Sequence, residues 1–305
     1  MDINQFAELL QTKLPNDMIF RDVPMKNYTT FRIGGKADLL VKPKTYQQIA
    51  EIINLCKKHE VPYYVLGNGS NLLVSDEGYR GVIIHVYNQL ADIKVEGNRI
   101  IAGAGAILSK VATVAMENSL TGLEFAHGIP GTLGGAVVMN AGAYNGEMKN
   151  VLISCEVMDE EGNVMTLSKD ELELGYRTSI IQNKNYIVLR ATIQLEKGEK
   201  ENIKAYMKEL MLRRKEKQPL DKPSAGSTFK RPEGYFAGKL IMDSGLKGYQ
   251  IGGAKVSEKH CGFVINTGNA TCQDVVDLIE HIQKEVKKQF NVELKTEVKR
   301  LKNNR

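Results

Sequence analysis

Residues 128–136 read Gly-Ile-Pro-Gly-Thr-Leu-Gly-Gly-Ala, and no other stretch of the 305-residue chain restricts its fold so tightly. Pro130-Gly131 sets a turn, Thr132 offers a hydroxyl where a helix can start, and Gly134-Gly135 permits close backbone approach. The stretch reads either as a tight connection between packed elements or, because helix N-termini favour anions, as an anion site. A second loop, Gly67-Asn68-Gly69-Ser70-Asn71, follows the apolar run 63–66. Its backbone N–H groups, with Ser70 and Asn71, suit a pyrophosphate, and a plain turn fits the same residues. Leu72 stands where a dinucleotide fingerprint needs its third glycine, and no Lys-Ser/Thr pair follows as in a P-loop. Two such loops in neighbouring segments favour an extended diphosphate cofactor more than either does alone.

The pattern around these loops sets the organisation. Apolar spacing predicts an entry helix over 3–14, a strand over 37–41, and a helix capped by Thr45 that turns Ile49, Ile52, Ile53 and Cys56 inward. Strands are expected at 63–66 and 81–86, giving a small α/β unit. Next come a hairpin of 91–95 and 99–102 about Gly97-Asn98, a helix over 108–117 and a glycine-rich stretch, 122–146. A second hairpin pairs 151–158 with 163–167, and 186–195 alternates as a long strand. A charged helix then runs from Lys200 to Lys217, stopped by Pro219 and Pro223. Beyond it lie a loop at 224–229, a helical segment at 236–242 and strands at 250–256 and 263–265. The amphipathic helix 274–290 carries Val275, Leu278, Ile279, Ile282 and Val286 on one face, and a strand over 292–301 closes the chain.

Composition narrows the class of protein. With 42% apolar and 25% charged residues the chain has ample material for a packed core, and its length suits two domains or three small ones. The net charge of +5 is spread out apart from short clusters such as Arg213-Arg214-Lys215, which suits anionic small substrates; no nucleic-acid partner is expected. No apolar run approaches the roughly 20 residues that cross a bilayer, and the N-terminus has no basic stretch followed by an apolar one. Cys56, Cys155, Cys261 and Cys272 form no CxxC pair and no metal-like spacing. Reduced thiols in a cytoplasmic protein, with no metal, are the expectation.

Three positions outside the glycine loops suit chemistry. Arg177, in Tyr176-Arg-Thr-Ser179, could clamp a carboxylate with two parallel hydrogen bonds, or form a surface ion pair. Ser227, beside Gly226, could donate a proton, but no GxSxG elbow marks it as a hydrolase nucleophile. Glu297 reads alone as a water-facing residue of the last strand.

Four motifs taken together are more specific. Thr30-Phe-Arg-Ile-Gly-Gly35, Leu66-Gly-Asn-Gly-Ser-Asn-Leu-Leu73, Gly128-Ile-Pro-Gly-Thr-Leu-Gly-Gly135 and Asn140-Ala-Gly-Ala143 resemble, in order and spacing, the flavin-binding half of the UDP-N-acetylenolpyruvoylglucosamine reductases (UDP-N-acetylmuramate dehydrogenases). Gly175-Tyr-Arg177, Ala225-Gly-Ser227-Thr-Phe-Lys230 and Glu297-Val298 match that family's catalytic positions in chain order.

The resemblance implies an α+β protein, with a two-subdomain FAD fold of the vanillyl-alcohol-oxidase (PCMH) type and a C-terminal α/β substrate-binding domain. Segments 1–88 and 89–196 then hold FAD, 197–293 covers the sugar nucleotide, and 294–305 returns to the flavin part. Non-covalent FAD contacts fall on Gly67, Asn68, Gly69, Ser70, Asn71, Gly128, Ile129, Pro130, Gly131, Thr132, Gly134, Gly135, Ala136 and Asn140. His127 is then a packed or hydrogen-bonding histidine rather than a covalent flavin link. Tyr176, Lys217 and Lys230 are implied substrate contacts. NADPH passes hydride to FAD, which passes it to the vinyl carbon of UDP-N-acetylglucosamine enolpyruvate in cell-wall precursor synthesis. Arg177 and Glu297 stabilise charge on the carboxylate, Glu297 as a neutral acid or with its charge offset by Arg177, and Ser227 protonates the adjacent carbon. The longer branch of the family carries an extra loop with a gating tyrosine. This chain has no room for it and resembles the shorter class; Arg231 also replaces an Asn of the longer branch.

Two rivals keep different chemistry. A related flavin oxidase acting on an alcohol needs no diphosphate-sugar site, and NADPH would not bleach its flavin. A non-catalytic nucleotide or flavin sensor gives no reason for Arg177, Ser227 and Glu297 to occur together. Oligomeric state is not legible from these residues, and a monomer is compatible with them.

Overall fold

A computed structural model describes residues 2–303; the first residue of segment 1–88 and the last two of the returning segment 294–305 lie outside the described residues. The chain divides into two compact units. One takes in the N-terminus to Arg21, Leu39–Asn68 and Gly81–Arg214; the other takes in Asp22–Asp38, Gly69–Arg80 and the chain from Lys215 onward.

The first unit has two cores. Phe6 and Leu10 of the helix Ile3–Gln11 pack with Ile49, Ile52 and Ile53, all fully buried. Those isoleucines come from the helix Tyr46–Lys58, which starts on a capping box of Thr45 and Gln48. Beside them, Tyr63–Leu66 runs parallel to Tyr79–His85, with Tyr63 opposite Val82 and Leu66 opposite His85. Their sheet is ordered Ile19–Pro24, Lys36–Val41, Tyr79–His85, Tyr63–Leu66. The second core lies on an antiparallel five-stranded sheet ordered Val164–Ser168, Leu152–Met158, Ile187–Gln194, Arg99–Gly103, Ile93–Glu96. Both hairpins expected from the turn signals are present, and Gly97 takes φ +62 in the first. The helices Leu108–Glu117 and Leu133–Val138 contribute Leu108, Val111, Leu133 and Val137 to this core.

The second unit is built around the helix Cys272–Phe290, whose residues Val275, Leu278, Ile282 and Val286 are fully buried. Thr271 and Asp274 form its capping box, and Asn291 ends it in the left-handed conformation. Asp76 takes two more of its orphan amides, Cys272 N at 2.8 Å and Gln273 N at 3.0 Å. Ala237–Asp243 and a small antiparallel sheet of Gln250–Ile251, Ala254–Val256 and Val264–Asn266 complete the core.

Two expectations are corrected here. Residues 250–256 are not one strand: Gly252, at φ +51, folds them into a hairpin. Within 292–301 only Lys299–Leu301 is a strand, parallel to Leu72–Val74. The preceding residues pair instead with the Ser227 loop, through the bridge Phe229–Thr296. The strands Ile19–Pro24 and Leu72–Val74 escaped the pattern reading: the first has no buried–exposed alternation, and the three residues of the second are too few to show a period.

His85 ends its strand 7% exposed, and burial with the nearby Lys42 charge pushes its pKa down to about 4. The folded chain therefore binds fewer protons here than the unfolded chain between pH 6.5 and 4. Stability from this residue is complete above about pH 6.5 and falls, by an amount of order 3 kcal/mol, as pH drops through that window. Urea titrations at stepped pH will show this slope, and His85→Gln will flatten it. Thr271→Ala, measured the same way, will cost about 1 kcal/mol through loss of the cap.

Candidate active site

In the first unit the two glycine loops meet. A Cβ on Gly67 would lie 2.5 Å from Thr132 Oγ1, so only glycine allows this approach. Thr132 caps Leu133–Val138, its hydroxyl accepting from Gly135 N at 3.4 Å, and Ala136 N bonds to Thr132 O. The first amides of this helix start, for which an anion site is one of two readings, bond within the protein. Leu133 N and Gly134 N donate to Ala106 O and Ala104 O, both at 2.9 Å, and Gly135 N is taken by Thr132. Three amides that could face an anion are satisfied inside the protein. The segment before them, Gly128, Ile129, Pro130 and Gly131, is partly to fully exposed. His127, just ahead of it, has a buried Nδ1 with no hydrogen-bond partner in the protein.

Gly128 O accepts from Arg214 Nη1, and burial lowers the Arg214 pKa while Tyr144 opposes that shift. The sequence reading counted Arg214 only as part of a basic cluster. A usable signal lay in its spacing: Ile203, Met207 and Leu210 are the buried stripe of Lys200–Lys217, and Arg214 continues it one turn further. Arg213 instead faces solvent and pairs with Glu209.

Arg177 lies in a turn closed by Gly175 and Thr178, whose backbones exchange hydrogen bonds at 3.1 and 3.3 Å. It has φ +56, which is costly for a residue with a side chain and is held only where the surroundings insist on it. Gln182 Nε2 donates to Arg177 O at 3.4 Å and to Val138 O at 2.9 Å, and Ser179 Oγ also donates to Val138 O. The guanidinium donates to Gly142 O at 3.2 Å and lies 5.0 Å from the half-exposed Tyr176 ring.

Asn140 ties this turn to the second glycine segment. It is fully buried, and Nδ2 donates to Gly175 O at 3.0 Å and Glu147 Oε2 at 3.1 Å, while Oδ1 accepts from Lys149 N. The motif reading placed Asn140 among cofactor contacts; its side-chain amide is engaged in fastening the Arg177 turn.

The second unit assembles the remaining positions. Gly69 has φ +60, and a Cβ there would lie 2.1 Å from Tyr28 O, so the loop again requires glycine. Asn71 Nδ2 donates to Glu297 O at 3.2 Å, and Lys299 N donates to Asn71 O. On its other side Glu297 N donates to Thr228 O at 2.8 Å, directly after Ser227. Thr228 is itself fixed, its N bonding to Gly262 O and its hydroxyl accepting from Val264 N. Ser70, Asn71, Ser227 and Glu297 are all partly exposed within this unit. Lys230 is half-buried and held by its N–H on Lys295 O, whereas Lys217 is exposed at the end of its helix. Among the described residues no three His, Cys, Asp or Glu side chains gather as a metal site would require.

Comparison with known proteins places these features in a family. Residues 37–168 match the model of an FAD binding domain, and residues 218–301 match that of the UDP-N-acetylenolpyruvoylglucosamine reductase C-terminal domain. The chain is 55% identical to the UDP-N-acetylenolpyruvoylglucosamine reductase of Clostridium novyi, over 98% of this chain and 96% of the relative. It is 57% identical to that of Caldanaerobacter subterraneus subsp. tengcongensis, over 96% of this chain and 98% of the relative. The crystal structure of the reductase from Thermus caldophilus superposes with a TM-score of 0.79 at 37% identity, covering 91% of this chain and 97% of the other. With both halves matched and near-complete coverage at this identity, the chain belongs to the UDP-N-acetylenolpyruvoylglucosamine reductase family, a family of flavin-binding oxidoreductases.

Proposed function

We propose that this chain reduces UDP-N-acetylglucosamine enolpyruvate to UDP-N-acetylmuramate, taking its electrons from NADPH, in the cytoplasmic synthesis of cell-wall precursors. The observation that carries this reading is the double pinning of Glu297, by Asn71 on its carbonyl and by Thr228 on its N–H, which sets it beside Ser227. Backbone pairing thereby brings together two residues of separate motifs, seventy positions apart in the chain, and a glycine loop. The reading includes the finer fold description, a flavin part of the vanillyl-alcohol-oxidase type spanning 1–88 and 89–196, with 197–293 as the substrate part.

The residues present fit a non-covalently held FAD. The close approach of Gly67 to Thr132 leaves no room for a Cβ, and Ser70, Asn71 and the segment Gly128 to Gly131 stay partly exposed beside it. Gly67 to Asn71 and Gly128 to Gly131 would hold it. When bound, the flavin supplies a two-electron relay between NADPH and the enolpyruvyl double bond.

The protein's own groups account for the remaining chemistry. Negative charge grows on the substrate carboxylate as the vinyl carbon gains hydride, so fixed donors aimed at that carboxylate lower the barrier. Arg177 is one such donor: its backbone is locked in a left-handed turn, so little freedom remains to be lost when the substrate docks. Glu297 shares this role as a neutral acid or with its charge offset by Arg177, and the Ser227 hydroxyl delivers the proton to the neighbouring carbon. Serine is a weak acid, so this transfer requires a strongly basic carbanion and close contact. Tyr176, Lys217 and Lys230 bind the nucleotide sugar, the two lysines as charges for its diphosphate.

Two stopped-flow experiments on flavin absorbance test these roles. Ser227→Ala will leave bleaching by NADPH unchanged and slow the return of colour with substrate by about 100-fold or more; equal loss in both halves removes serine as the proton donor. Arg177→Lys keeps the charge but loses the paired geometry, and will lower the substrate half-reaction by roughly 100-fold. An unchanged rate there would remove Arg177 from the carboxylate.

A further inference from the structure

We infer that Tyr144 is a further substrate-positioning residue, its ring walling the place beside Arg177 where the enolpyruvyl group docks. The inference rests on the reaction proposed above and deepens it, adding a residue that lies outside the glycine and catalytic motifs.

Gly142-Ala143 and Gly146-Glu147 pair as a hairpin whose two loop residues are Tyr144 and Asn145. Both have positive φ, +51 and +66, the pattern of a type I′ turn. Asparagine accepts that conformation readily, but for a bulky aromatic residue it is an outlier. Such strain persists only where the surroundings enforce it, and here the hairpin is fastened on every side. A Cβ on Gly146 would lie 2.5 Å from the Phe125 ring, so the hairpin rests against that buried side chain. Glu147 accepts from Asn140 at 3.1 Å, and Met148 N donates to Ala141 O at 3.0 Å. Gly142 O accepts from Arg177, itself at φ +56. One hydrogen bond thus ties two strained turns together, and strain of this kind gathers at functional sites.

The ring does not belong to the hydrophobic core. Among the described residues, the second core of this unit takes in Tyr186 and not Tyr144, which is half-buried. Tyr144 instead acts on the charge of Arg214, the residue that holds Gly128 O. The hairpin is therefore tied to the Arg177 turn at its base and reaches the Gly128 anchor at its tip. A carboxylate clamped by Arg177 would carry its attached double bond past this ring. The enolpyruvyl group is planar and conjugated, so a flat aromatic wall fixes its plane. Holding that plane keeps the double bond near its reacting geometry.

The test measures binding of the enolpyruvyl sugar nucleotide to the oxidised, FAD-loaded full chain without NADPH, by the change in flavin absorbance. Tyr144→Ala removes the ring and keeps the strained φ, whereas Tyr144→Gly removes both. The glycine variant is expected to have the higher urea midpoint, because glycine adopts this φ freely. Both variants are expected to bind the substrate about 10-fold more weakly, with Tyr144→Phe within about threefold of wild type. Unchanged substrate affinity in the alanine and glycine variants overturns the inference, and so does a glycine midpoint no higher than that of alanine. Weak binding by the alanine variant with wild-type binding by the glycine variant also overturns it, since the backbone would then matter and not the ring. Should either variant not fold, fluorotyrosine in the otherwise unaltered protein decides. The Tyr144 fluorine resonance, assigned with Tyr144→Phe, moves when the substrate is added, or the wall does not exist. A wild-type protein that binds no enolpyruvyl substrate overturns the function proposed above and this inference with it. Binding with an unmoved Tyr144 overturns this inference alone.

Discussion

The backbone of Glu297 is the constraint on which the arrangement around Ser227 in the second unit depends. Its carbonyl accepts from Asn71 and its N–H donates to Thr228, so one residue holds three distant stretches of chain in register. Such bonds are worth little individually, and it is their number that fixes the alignment. Because Thr228 is anchored to Gly262 and Val264, the Ser227 loop cannot drift while the last segment stays in place. The parallel pairing of Lys299–Leu301 with Leu72–Val74 extends the same alignment.

The first unit solves a similar problem with one side chain. Asn140 uses both ends of its amide, gripping Gly175 and Glu147 with the nitrogen and Lys149 with the oxygen. That grip holds the turn in which Arg177 adopts its left-handed backbone. Strain of this kind persists because Val138 O, Gln182 and Gly142 O all restrain the same turn. In both units the residues read as chemical are carried on loops, and buried amides or backbone pairs do the positioning.

Regular elements were legible wherever a period ran long enough. The helix Leu108–Glu117 begins and ends where its apolar spacing does, and Cys272–Phe290 differs only by a turn's fraction at its cap. Glycine signals located both hairpins of the five-stranded sheet. Legibility failed for Leu72–Val74 and for residues 292–298, whose partners lie more than two hundred and about seventy positions away, respectively. Nothing local records such a pairing, because the pattern of a strand reports which face is buried and not which chain lies beside it.

The same division runs through the site. Residue types and their order alone determined the membership of the family: Gly-Asn-Gly-Ser-Asn, Gly-Ile-Pro-Gly-Thr and the later Arg, Ser and Glu motifs are local strings that need no contact map. Only the tertiary structure decided what each of them faces. It turned the amides of Leu133 and Gly134 toward protein carbonyls, engaged Asn140 in holding a turn, buried Arg214 against Gly128 and left His127 Nδ1 unmatched. The reason is that a hydrogen-bonding group is defined by its chemistry in the sequence but acquires its partner from segments far along the chain, and folding alone brings those together.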